Sequence, residues 1–125
     1  MRTLILIFVA TGWLAAAETG PGKTYQTYAA LVHKCVSLKE LFPYFDDARR
    51  KELSTLEKDD REMMLTMLRS LAPTEVKVTS EKVQGDRATL VALGKINGRL
   101  ADGQVTMVKQ QGTWRLAGES WQARK

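Results

Sequence analysis

His33 and Cys35 are the single histidine and the single cysteine of this 125-residue chain, and they stand two positions apart. A zinc site needs several His, Cys or carboxylate ligands converging on one ion, and a thiol nucleophile needs an imidazole within hydrogen-bond reach. On a helix, two positions turn side chains apart by about half a turn, so this pair builds neither. His33 reads as a surface or boundary residue and Cys35 as a buried packing residue. Carboxylates are paired twice, as Asp46 with Asp47 and Asp59 with Asp60. Such pairs serve acid/base chemistry when burial raises one pKa, but both fall where helices are expected to start, and capping explains them first. Gly85, Gly98, Gly103 and Gly112 occur singly at expected turns, without phosphate-binding spacing. These patterns assign no catalytic, cofactor-binding or metal-ligating residue, and they imply no cofactor.

The elements that would carry any site begin behind a leader. Met1 and Arg2, the apolar run Leu4 to Ala10, and Ala15 to Ala17 ahead of Glu18 have the three-part order of a secretory signal peptide. Cleavage is expected after Ala17. Spanning a bilayer takes about 20 apolar residues, and Thr11 and Gly12 interrupt this run, so no membrane insertion of the mature chain is expected. The product should be exported, either periplasmic or secreted. Losing Arg2 lowers the net charge from +5 to +4, with 18 Lys plus Arg against 14 Asp plus Glu. Residues 46–62 hold seven acids and five bases, and residues 63–125 hold ten bases and five acids. Interspersed signs make a solvated surface, and no nucleic-acid partner is expected. One thiol cannot bridge internally, so the fold must rest on its apolar core.

Residues 18–23, with Thr19, Gly20, Pro21 and Gly22, read as a flexible lead-in, residues 24–121 as one domain, and 122–125 as a tail. Tyr25, Tyr28, Ala29, Val32, Cys35 and Val36 recur at three- and four-residue steps and predict a first helix. Ser37 and Glu40 have capping-box spacing ahead of a short helix toward Pro43. Asp46 and Asp47 open a third helix ending near Leu56. Asp59 and Glu62 repeat the capping spacing before Met63, Met64, Met67, Leu68 and Leu71, where the methionines read as core filler. After Pro73 the apolar period becomes two. Strands are expected around Val76 to Val78, over Ala88 to Leu93, Gln104 to Gln110 and Thr113 to Gly118. Asn97 with Gly98 and Asp102 with Gly103 punctuate a longer loop before the third strand. The class is α+β: three to four N-terminal helices packed on a curved four-stranded antiparallel sheet. Trp114 shares parity with Leu116 and is predicted to be buried. Val91, Leu93 and Ala117, with Val108, would form an apolar strip on the outer face, a possible homodimer surface.

Four stretches together resemble the nuclear transport factor 2-like superfamily, which is cystatin-like in its α+β layout, and in particular its small exported bacterial members of unknown function. They are Tyr28 to Cys35, Leu41 to Arg50, Val83 to Leu90, and Val105 to Leu116 with its Lys109, Gly112, Trp114 and Arg115. The resemblance implies a cone-shaped cavity between helices and sheet. Dehydratases and isomerases of that superfamily use the cavity for chemistry, and other members only bind or support a partner. Its acid/base isomerases place a carboxylate and a Tyr there. Tyr25 or Tyr28 could reach the cavity from the first helix, but no acid stands at core parity in the four expected strands. The expectation is therefore a filled cavity and an exported, non-catalytic binding or accessory domain for an unknown protein or a small apolar ligand. The alternative is a small-molecule lyase or isomerase.

Overall fold

The computed structural model describes residues 19–125, and the expected leader with its cleavage after Ala17 lies outside the described residues. Helix α1, Pro21–Val32, starts on proline, which sits well at a first helical position because that N–H has no intrahelical partner. The lead-in expected over 18–23 is therefore shorter: Pro21 and Gly22 are already helical and buried. The Gly22 N–H donates to Glu81 Oε1 at 2.9 Å, and a Cβ on residue 22 would stand 2.5 Å from that oxygen, so a larger residue would push the Glu81 carboxylate aside. Tyr25, Tyr28, Ala29 and Val32 form the buried face of α1.

The capping box of Ser37 and Glu40 is formed, and it opens a 3-10 helix, Leu38–Tyr44. Helix α2, Asp47–Ser54, is capped by Asp46, which accepts from the Arg49 N–H at 2.9 Å. Helix α3, Lys58–Leu71, has Glu57 at its cap position and no side-chain cap. Asp59 and Asp60 lie in its first turn, so the capping role expected of Asp59 gives way to a favourable position in the helix dipole. The methionine expectation is also corrected. Leu65 is buried and Met64 and Leu68 pack partly against the core, but Met63, Met67 and Leu71 are exposed. The apolar arc of α3 is wider than the surface that α1 and the 3-10 helix present to it.

Strands β1 (Thr74–Gln84), β2 (Arg87–Ile96), β3 (Arg99–Gln110) and β4 (Thr113–Ala123) form one antiparallel sheet in sequential order. All three hairpins close in two-residue turns, Gly85-Asp86, Asn97-Gly98 and Gln111-Gly112, and in the last two both residues have positive φ, between 53° and 78°. Paired left-handed residues match the twist of the flanking strands. Asp102 and Gly103 are thus within β3 and not in a loop. Likewise β4 runs on to Ala123, and Arg124 holds Asp102 through two 2.8 Å hydrogen bonds, which shortens the expected tail.

Leu90, Ala92, Val105 and Met107 face the helices and are almost completely buried, with Trp114 buried as predicted. Phe45 bridges to Leu116, and the Asp46 N–H donates to the Leu116 carbonyl, fastening the 3-10 helix to β4. On the outer face Val91 and Ala117 are exposed and Leu93 and Val108 half-buried. Arg115 is buried and donates to the Pro43 carbonyl at 2.8 Å.

Candidate ligand-binding site

One irregularity in β4 creates the site. Thr106 faces Gly118 and Met107 faces Leu116, so Ala117 is an extra residue with no partner across the ladder. A bulge reverses the inward parity beyond it. Trp114 and Leu116 point inward before it; Glu119, Trp121 and Ala123, opposite Val105, Gly103 and Ala101, point inward after it. The expectation that no strand carboxylate reaches the core face fails here, because it assumed unbroken alternation and a strand ending at Gly118.

Gly94 and Gly103 make room for the Trp121 ring. A Cβ on Gly103 would stand 2.6 Å from that ring, and one on Gly94 would stand 3.2 Å from it. The indole therefore lies flat across two neighbouring strands. Its Nε1 donates to Glu119 Oε1 at 3.0 Å and to the Tyr25 hydroxyl at 3.1 Å. The Tyr25 hydroxyl donates to the same Glu119 oxygen at 2.5 Å, joining α1 to β4. Burial pushes the Tyr25 phenol well above its ordinary range, and the Glu119 charge pushes it the same way. Tyr28, with its ring centroid 5.9 Å from that of Tyr25, is raised by the same two causes, burial first. Both phenols are protonated at neutral pH.

Above this cluster opens a cleft of about 470 Å³, walled by Tyr28, Val32, Leu68, Leu71 and Ile96, with Tyr25, Glu119 and Trp121 at one side. The cavity expected to be filled is open. A broader depression of about 650 Å³ lies around Asp102, Gln122, Arg124 and Lys125, but Asp102 and Arg124 pair with each other and it has no apolar wall beyond Trp121 and Ala123.

Tyr25 and Tyr28 are thus where the resemblance placed them, and the structure brings them to Glu119. The other candidates stay apart. Cys35 is buried with its thiol pushed up by burial, while His33 is exposed and holds the Pro73 carbonyl at 3.0 Å through Nε2. Asp46 caps α2 and Asp47 pairs with Arg50. Asp59 and Asp60 are exposed at the start of α3. Among the described residues no three His, Cys, Asp or Glu side chains gather as metal ligands, and no helix is long and apolar enough to cross a membrane.

No family model matches the chain, and no curated protein matches it. Among solved structures it is similar to a Campylobacter jejuni protein described as an NTF2-like transpeptidase, at 13% identity and a TM-score of 0.54, covering 78% of this chain and 96% of that one. The chain has the nuclear transport factor 2-like fold. An NTF2-like protein of unknown function from Silicibacter pomeroyi aligns at 19% identity over 87% of this chain and 94% of that chain, with a TM-score of 0.49. Within this fold the cleft sits between the helices and the sheet's inner face, with Glu119 and Trp121 brought there by the Ala117 bulge.

Proposed function

We propose that the chain is an exported, non-catalytic ligand-binding domain, and that its ligand sits in the cleft beside Glu119. The observation that carries this reading is the mutual satisfaction of the polar cluster. Glu119 Oε1 already accepts from Tyr25 and Trp121, so the phenol proton is committed to the carboxylate and not directed at a bound molecule. Both phenols hold their protons firmly, which makes them weak general acids at neutral pH. What is left is a largely apolar cleft with a few fixed polar groups, the composition of a small-molecule binding site. The leader-like first seventeen residues support export. The outer sheet face, with Val91, Leu93 and Ala117, is the proposed contact for a second copy, and a monomeric sedimentation profile at tens of micromolar would remove that part.

The alternative, a lyase or isomerase, gains from one feature: Glu119 Oε2 is engaged by neither Tyr25 nor Trp121 and could accept a proton. The two readings separate on Glu119→Gln. A binding domain keeps most of its affinity for uncharged cleft ligands, whereas an enzyme loses turnover by about 100-fold or more. The direct test is titration of the purified protein with small aromatic compounds while the Trp121 indole N–H resonance is followed. Movement of that resonance with saturation supports a cleft ligand, and no movement with any compound at tens of millimolar would sink the reading.

A further inference from the structure

Resting on the binding reading above, we infer that the cleft selects a small organic cation: an ammonium group carried on an aromatic or aliphatic body. Of the residues lining the cleft, Glu119 is the one that carries a formal charge at neutral pH. Its carboxylate is fixed through Oε1 by the Tyr25 hydroxyl at 2.5 Å and the Trp121 indole at 3.0 Å. The ion pairs among the described residues involve Asp47, Glu75 and Asp102, so no described cation neutralises Glu119. A carboxylate held in place before the ligand arrives loses little entropy on pairing, which favours a charge-assisted hydrogen bond to an ammonium.

The walls fit the same guest. Tyr28 and Trp121 line the cleft with aromatic rings, and the negative π clouds of such rings attract cations. Val32, Leu68 and Ile96 form the apolar wall that would cover a hydrocarbon body. An anionic ligand would meet the Glu119 charge, and a neutral alcohol would exchange one hydrogen bond to water for one to the carboxylate, with little gain. The chain as a whole is positive, at +5, so cations are not gathered by its general field. A preference for them must come from the cleft.

The test uses three matched probes, 2-phenylethylammonium, 2-phenylethanol and phenylacetate, titrated against the full protein by the shift of the Trp121 indole N–H. The expected order is ammonium first, by about tenfold over the alcohol, with phenylacetate weakest. Glu119→Gln keeps an acceptor for Tyr25 and Trp121 while removing the charge. It should lower the ammonium's affinity by about tenfold, to near the alcohol's level, while the alcohol's own affinity changes by less than about threefold. Equal affinities in the unmodified protein, or an ammonium preference that survives Glu119→Gln, would overturn the cation assignment while the cleft reading stands. Silence from all three probes would overturn both.

Discussion

At the scale of single residues, Tyr25 links stability to pH. Its phenol is raised above the ordinary value of about 10, so as pH climbs the unfolded chain releases this proton before the folded one does. The stability held by the protonated phenol is complete below about pH 10 and drains away as pH rises toward the folded value. Denaturant midpoints should therefore hold to about pH 9 and fall as pH passes about 10 to 11, and Tyr25→Phe should lessen that fall, with Tyr28 carrying the remainder, while costing about 1 to 2 kcal/mol at neutral pH. A slope unchanged by the substitution would show that Tyr25 is not the titrating group. Gly103→Ala places a methyl 2.6 Å from the Trp121 ring and should destabilise by about 1 to 3 kcal/mol, read from urea unfolding. Tyr25 and Tyr28 were legible as cavity residues, because helical spacing puts them on the inward face of α1. Gly103 was not, since a glycine after an aspartate looks the same in a turn as beneath an indole.

At the scale of elements, the bulge at Ala117 decides which side chains line the cleft. Deleting Ala117 restores even alternation in β4 and should turn Glu119 and Trp121 to the outer face. The expected result is an exposed, red-shifted Trp121 emission and loss of cleft binding, with the β2–β3 hairpin intact. Retained binding would mean that the strand re-forms its bulge elsewhere. Trp114 lies before the bulge, buried and with Lys109 Nζ 5.2 Å from its ring centre, and Trp114→Ala should cost about 3 to 5 kcal/mol in chemical denaturation. The caps at Ser37 and Asp46 and the switch to strand after Pro73 were readable from local chemistry. The bulge was not, because it arises from the pairing of two strands, and Ala117 carries no mark of it. The outward turn of Met63 and Met67 was hidden for the same kind of reason: the partner surface, not the stripe on α3, sets how much of the stripe is covered.

At the scale of the whole molecule, the proposed export predicts that protein recovered from its native host has lost Met1 to Ala17, and intact-mass measurement finding the leader retained would sink it. The described fold itself needs no bridge, since its one thiol is free and buried. The bond from Tyr25 to Glu119 joins residues 94 positions apart. The hairpins close between neighbours and form on the microsecond scale, whereas bringing such distant groups together costs loop entropy that only the finished core offsets. The cleft should thus be the last part to assemble: in refolding, backbone circular dichroism leads and the Trp121 signal follows. A chain that stops before Glu119 can own every helix and the first three strands and still lack the carboxylate and the indole that complete the cleft. A ligand that needs Glu119 or Trp121 would therefore distinguish chains whose last strand is made and placed from those that stop short of it.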